Sequence, residues 1–363
     1  MITRDCDVLV VGLGPGGGAA AAAVAAAGLR VIGIERRHEI GTPVQCAEFI
    51  PLPLSRHAQG ADVLAQRITG MKSMLPSGAA VATPFTGLMV DRAAFDRGLV
   101  QAAVSAGATV HAGSMLVGLD ADQCLADIKG SDGPWAVRYR VLIAADGPHS
   151  TVARLLGLPT LQSVNTRQYT VPLLQSFDDT DIWLSPRYPG GYAWLFPKGS
   201  RANLGLGMDA NVDADMKTPL DELHRALAAA GRVGHEVLAR TGGAIPVGGL
   251  RKQLSVGAAL FVGDAAGLTH PITGAGIAAA VASGEAAADA ARAHLAGDAG
   301  ALAEYEEGIR DQFGESLARA VARRAELARV WKTAAAADDA LHRRGWIAFD
   351  EYYREPVTAS GEL

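Results

Sequence analysis

The stretch from Asp5 to Glu35, DCDVLVVGLGPGGGAAAAAVAAAGLRVIGIE, decides the fold. Asp5 to Val11 reads as a short apolar strand, Gly12 to Gly18 as a glycine-rich turn, Ala19 to Ala27 as a helix and Val31 to Glu35 as a second apolar strand. Together they make a βαβ unit. Gly12, Gly14 and Gly17 form a GxGxxG, in which the first glycine turns sharply, the second lets backbone approach a pyrophosphate and the third permits close helix packing. Glycines that only formed a turn would not need an acid at the end of the next strand. Glu35 stands there, where a carboxylate can accept from ribose hydroxyls, so the segment is expected to bind a dinucleotide. Pro15, Gly16 and Arg36 flank these positions and are taken with them as cofactor contacts. The alanine run is too short to cross a bilayer and is closed by Gly28 and Arg30, which marks a tightly packed core helix.

Outward from this unit, Arg92 to Ala106 places Phe95, Leu99 and Ala103 at helical spacing, and Thr109 to His111 and Tyr139 to Ala144 look like further strands of the same domain. Between about Gly157 and Gly249 the texture changes to short segments rich in aromatics, Pro and Gly, among them Ile182 to Leu184, Tyr192 to Phe196 and Asn203 to Met208. This predicts a mostly antiparallel sheet. Leu260 to Val262 is a parallel-type strand, Gly263 to Gly276 a glycine-rich turn and Ile277 to Leu295 an alanine-rich helix, so the first domain closes late. The tail from Ala301 to Trp346 is charged and helical in pattern, with Phe313, Leu317, Val321 and Leu327 as an apolar face that packs on the outside. The expected fold class is α/β, with a discontinuous dinucleotide domain (1–65, 89–158 and 251–300), an interleaved β-sheet substrate domain (66–88 and 159–250) and a C-terminal helical region (301–363).

Composition narrows the function. The 363 residues are 49% hydrophobic and 20% charged, an ordinary globular balance, and the net charge of -5 with no basic run argues against a nucleic-acid partner. Cys6, Cys46 and Cys124 are scattered and odd in number, which indicates neither a disulfide framework nor a metal site and cannot supply the four thiolates of an iron–sulfur cluster. With no signal peptide and no transmembrane segment read at the start of the chain, a cytoplasmic location is expected.

Val262-Gly263-Asp264 followed by Ala265, Ala266 and Gly267, then Pro271, Thr273, Gly274 and Gly276, resembles the GDAAG...P.TG.GI signature of two-domain flavoproteins similar to p-hydroxybenzoate hydroxylase. The resemblance implies FAD as cofactor, held in a Rossmann-like FAD-binding domain interleaved with a mostly antiparallel β-sheet substrate domain, plus C-terminal helices. It implies that Gly263 and Asp264 meet the ribityl chain and that Gly274, Ala275, Gly276 and Ile277 approach the flavin ring at a helix N-terminus, which favours negative charge on the reduced ring. The lesser alternative for Asp264 is a helix cap. Asp146-Gly147 resembles the same family's DG motif and Arg92, in Asp-Arg-x-x-Phe-Asp, its flavin-contacting arginine; each alone is ambiguous, Asp146 with a turn cap and Arg92 with a solvated helix start, and their order and spacing favour the flavin roles.

Two further segments, Pro43-Val44-Gln45-Cys46-Ala47-Glu48 and Tyr192-Ala193-Trp194-Leu195-Phe196-Pro197 with Gly205-Leu206-Gly207 seven residues on, resemble geranylgeranyl reductases. That resemblance puts the loop of Gln45 and Cys46 near the flavin ring, makes Cys46 the catalytic candidate, and lines a lipid tunnel with Tyr192, Trp194 and Phe196. A free cysteine is otherwise an inert buried small residue, and the alternating aromatics are otherwise an ordinary core face. The implied reaction is hydride transfer from reduced FAD to a carbon–carbon double bond of a geranylgeranyl-type isoprenoid, with the proton donor unassigned between His149, His270 and water. The alternative is a flavin-dependent monooxygenase of the aromatic hydroxylase or halogenase type, although Tyr192 and Phe196 depart from the halogenases' WxWxIP. A flavin-loaded binding protein is a third reading. With no second GxGxxG after a strand, the reductant is NAD(P)H bound transiently or a redox protein. The partners left open are a small-molecule or lipid substrate, an electron-donor protein and peripheral membrane contact, the last without an amphipathic basic anchor in view.

Overall fold

The computed structural model describes residues 2–60, 62–211 and 215–354. Its centre is a six-stranded sheet in the order Ser255–Val256, Ala259–Phe261, Val141–Ala144, Val8–Val11, Val31–Glu35, Thr109–Ala112. All pairs are parallel except the hairpin Ser255–Val256 with Ala259–Phe261. Val8 to Val11 are buried on both faces, which is why they read as an unbroken apolar run. The strand expected from Asp5 to Val11 is broken in two. Ile2–Asp5 pairs with Gly133–Arg138 in a separate four-stranded sheet, completed by Leu125–Gly130 and Met115–Asp120, that the sequence reading did not anticipate. At the break, the Asp7 carboxylate accepts from the Arg30 backbone N–H at 2.9 Å and from its guanidinium at 3.0 and 3.1 Å.

The first helix runs Pro15–Ala26, so Gly16 to Gly18 lie inside it and not in the turn where the sequence reading put them. Pro15 suits the first helical position, where its missing N–H would be unpaired anyway. The glycines serve packing: a Cβ on Gly17 would sit 1.9 Å from Gly12 O, and one on Gly284 would sit 2.2 Å from Gly16 O. Helix Pro15–Ala26 and helix Ile277–Leu295 therefore meet backbone to backbone, next to the glycine loop that follows the central strand Val8–Val11.

The second body is a nine-stranded sheet. Its path runs Ala239–Thr241, Ser163–Pro172, Arg201–Asp209, Ala193–Lys198, Asp179–Trp183, Leu64–Met74, Ala80–Val90, Phe49–Pro51, with Ala244–Pro246 also on Ser163–Pro172. It is antiparallel apart from the pair Asp179–Trp183 with Leu64–Met74. Alternation along Ala193–Lys198 sends Ala193 and Leu195 to a core under helix Lys217–Ala229, and sends Trp194 and Phe196 to the opposite core with Met71, Met89 and Ile182.

The tail departs from expectation. Helix Ala301–Ala328 buries Leu302, Tyr305, Ile309 and Leu317, whereas Phe313, Val321 and Leu327 are half-buried. The Tyr305 hydroxyl donates to Phe261 O at 2.6 Å, and Arg324, buried, donates to Asp209 at 2.8 Å. Beyond it Trp346, Phe349 and Tyr352 are core residues, so the C-terminal region is an integral wall and not an outer layer. Among the described residues no helix is long and apolar enough to cross a membrane.

Candidate active site

Where the two bodies meet lies a cavity of about 640 Å³, within the ~300–1,000 Å³ usual for small-molecule sites. One side is backbone and carboxylate. Gly14, Pro15 and Gly16 reach the wall, and nothing stands within 4 Å of where a Gly14 Cβ would be, so backbone is offered directly to a ligand. Gly12, with φ +92°, and Gly17 stay behind the wall as the close-packed base of the loop. The Glu35 carboxylate accepts from the N–H groups of Leu13 and Arg37, each at 3.0 Å, tying the second strand's end to the glycine loop. Arg36 is exposed and off the wall.

Asp146 follows strand Val141–Ala144, and its Oδ2 accepts from Thr151 N at 2.6 Å and Val152 N at 3.1 Å, adding to the Ser150 N-cap of helix Thr151–Leu155. Its Oδ1 is buried with no partner, and burial pushes the carboxyl above the usual range. A buried acceptor left free is an opening for a ligand hydroxyl. The neighbours Ala145 and Gly147, the latter at φ +82°, line the cavity, while Asp146 itself sits one layer behind the wall. Gly263 and Asp264 reach the same wall; Asp264 Oδ1 accepts from the Thr269 hydroxyl, while burial pushes its carboxyl up. Pro271, Gly274, Ala275, Gly276 and Ile277 continue the wall. Helix Ile277–Leu295 starts from Gly276 without a side-chain cap, so its first N–H groups can meet negative charge on a ligand.

The opposite side is apolar. Trp194 and Phe196 enter from their strand with Tyr192 just before it, and Trp346 from the tail packs on Tyr192 at a centroid distance of 4.8 Å. Tyr192 donates to Thr273 O at 2.5 Å, linking the aromatic wall to the glycine-rich one. Phe49, Phe85 and Ile245 complete the lining and were not foreseen; a strand pairing that only the fold reveals brings Phe49 and Phe85 into stacking at 4.9 Å. His270 is on the wall, its pKa lowered to about 4 by burial, with Nδ1 accepting from Thr273 N and Nε2 meeting the Tyr352 hydroxyl, both at 3.3 Å. His149 is exposed and off the wall.

Cys46 stands at the junction. Its Sγ accepts from Glu48 N–H at 3.2 Å and faces the Arg92 guanidinium, which Asp96 grips at 2.9 and 3.1 Å. Burial is the strongest influence on Cys46 and raises its pKa against the pull of Arg92, so Sγ carries its proton at neutral pH. Burial acts to lower the pKa of Arg92, but the Asp96 carboxylate outweighs it and holds the guanidinium charged. The segment around Cys46 is strapped to the sheet: Thr241 donates to Val44 O, Gln45 to Gly242 O, Gln168 to Cys46 O and Asn203 to Ala47 O, at 2.5 to 3.2 Å. Gln168 in turn accepts from the Trp194 indole N–H at 3.1 Å. Glu48 is the residue that sequence reasoning quoted in its motif without giving it a role.

The site thus pairs a polar glycine-lined wall, fit for a hydroxyl- and phosphate-bearing planar group, with an apolar aromatic wall. Residues 164–245 match the family described as geranylgeranyl reductase catalytic domain. The chain is 36% identical over 332 residues to the digeranylgeranylglycerophospholipid reductase of Methanocella arvoryzae, covering 86% of this chain and 84% of that one. Among solved structures it is similar to a geranylgeranyl bacteriochlorophyll reductase-like protein from Thermoplasma acidophilum, at 29% identity and a TM-score of 0.86 over 96% of this chain and 93% of the other. A probable FAD-dependent monooxygenase from Pseudomonas aeruginosa shares the fold alone, at 20% identity and a TM-score of 0.71 over 93% and 98% of the two chains.

Proposed function

Because the chain belongs to the geranylgeranyl reductase family of FAD-dependent oxidoreductases, we propose that it saturates carbon–carbon double bonds of a geranylgeranyl-type lipid in the cavity beside Cys46. The observation that carries the reading is the two-sided cavity, polar and glycine-lined on one wall and aromatic on the other. FAD, when bound, supplies the hydride.

The residues present fit that cofactor. Gly14, Pro15 and Gly16 bring backbone and a helix N-terminus to the pyrophosphate, and Glu35 lies at the end of the second strand for the ribose. The free Oδ1 of Asp146 and the carboxylate of Asp264 would take hydroxyls, and the uncapped N-terminus at Gly276 and Ile277 would face the ring, with the charge of Arg92 close to Cys46. In this reading 1–65, 89–158 and 251–300 form the FAD domain and 66–88 and 159–250 the substrate domain, except that Phe49–Pro51 and the ends of the strands at Leu64 and Val90 pair into the nine-stranded sheet and go with the substrate part.

An isolated alkene is a poor hydride acceptor, so the chain must hold it in place and keep water out. Tyr192, Trp194, Phe196 and Trp346 form the water-excluding side. Sγ of Cys46, protonated and on the wall, meets the reacting double bond as a neutral S–H. The reductant is NAD(P)H or a redox protein docking transiently, and a lipid substrate would draw a cytoplasmic protein into peripheral contact with a membrane.

The test is anaerobic. FAD-loaded protein is reduced with dithionite, mixed with a geranylgeranyl lipid, and followed by flavin absorbance and lipid mass. Flavin reoxidation with a gain of two hydrogens per double bond supports the reading. Flavin that stays reduced until air enters, and then hydroxylates an aromatic compound, replaces it with the monooxygenase.

A further inference from the structure

Glu48 is a non-glycine residue held at φ +72°, in the left-handed region that side chains rarely adopt. It is also 4% exposed, an unusual place for a carboxylate. Three groups from three elements hold it. Oε1 accepts from Lys198 Nζ at 2.7 Å, at the end of strand Ala193–Lys198, and from Arg92 N at 2.9 Å, at the start of helix Arg92–Ser105; Oε2 accepts from Asn203 at 2.7 Å, in strand Arg201–Asp209. The result of that backbone twist is specific, because it turns the Glu48 N–H onto Sγ of Cys46 two residues earlier. Strain of this kind persists only where surrounding groups over-determine it.

We propose that Glu48 is a positioning residue: its clamped carboxylate holds the left-handed turn that sets the Cys46 thiol on the cavity wall between Arg92 and Tyr192. The inference rests on the reading that Cys46 faces the reacting groups, but its first readout does not need that reading. The charged and titratable groups around the thiol are Arg92 and Asp96 on helix Arg92–Ser105, Glu48 itself with Lys198 behind it, and Tyr192 across the cavity. Removing the Glu48 charge leaves Arg92 less opposed, and a loosened loop admits water to the buried thiol; both favour thiolate and outweigh the loss of the Glu48 N–H bond to Sγ, which pulls the other way.

Two variants make the test. Glu48→Gln keeps the shape but sets a donor against the Lys198 or Asn203 donors, and Glu48→Gly accepts the left-handed turn freely while losing the carboxylate. In FAD-loaded protein, iodoacetamide labelling of the Cys46 peptide is followed by mass spectrometry across a pH series. We expect labelling roughly tenfold faster, with its pH profile displaced to lower pH, in both variants. Turnover should fall through kcat with KM little changed. Labelling within about twofold of the parent at every pH, in a variant that folds and binds FAD, overturns the proposal. If labelling shifts as expected while Cys46→Ser retains full turnover, the positioning stands and the role given to Cys46 in the reaction is what fails.

Discussion

Asp146→Asn is expected to separate cofactor binding from folding, because the two oxygens of Asp146 have different partners. Oδ2 is committed to Thr151 N and Val152 N, and Oδ1 is buried without a partner. In the asparagine variant the amide oxygen keeps the two helix N–H groups, which leaves the NH₂ in the place of Oδ1. Without FAD, the carboxyl's raised pKa means that its stabilising contribution is present only below the unfolded value and is lost as pH rises through the folded one. At neutral pH burial of this carboxyl therefore opposes folding, and the apo variant should melt no lower than the parent. With FAD, a hydroxyl that would donate to Oδ1 meets a donor instead. One hydrogen bond to a charged acceptor is worth about 1.5–3 kcal/mol, so the Kd for FAD should rise roughly 10- to 150-fold. FAD titration of the deflavinated protein by flavin fluorescence gives the first quantity, and thermal melts with and without FAD give the second. Binding within about twofold of the parent would refute the assignment of Oδ1 to the cofactor. An apo melting temperature far below the parent's would show that Asp146 is chiefly a cap.

Gly17→Ala places a Cβ 1.9 Å from Gly12 O, and relieving that overlap should cost about 1–3 kcal/mol and lower FAD content; full FAD loading at an unchanged melting temperature would contradict the packing described. His270, depressed to about 4, stabilises the fold above its unfolded pKa near 6.5 and loses that contribution as pH falls toward 4, at most roughly 3 kcal/mol. A His270→Gln variant should therefore show a flatter dependence of denaturation midpoint on pH across that window than the parent. Arg324 and Asp209 form a buried pair at 2.8 Å, so Arg324→Met should destabilise by about 3–5 kcal/mol, and adding Asp209→Asn should recover part of it, read by denaturant unfolding.

What the sequence determined by itself is what short-range pattern encodes. Val8 to Val11 are apolar at every position because both faces are covered, so the strand is legible without its neighbours, and the spacing of Gly12, Gly14 and Gly17 before Glu35 is a local requirement of one turn. Helix Ile277–Leu295 and the inward alternation of Trp194 and Phe196 are local in the same sense. Tertiary structure decided the rest. That Gly17 packs inside a helix depends on Gly12 O, and that the tail is a wall depends on Trp346 meeting Tyr192, 154 residues earlier in the chain. Strands Met115–Asp120 and Leu125–Gly130 become a sheet only when Ile2–Asp5 closes onto Gly133–Arg138. Glu48 is the clearest case: a glutamate beside a cysteine carries no periodicity, and its role arises from Lys198 and Asn203, brought to it by strands some 150 residues away. Periodicity reports which face of an element is buried, and hydrogen-bond partners across such separations leave no trace in it.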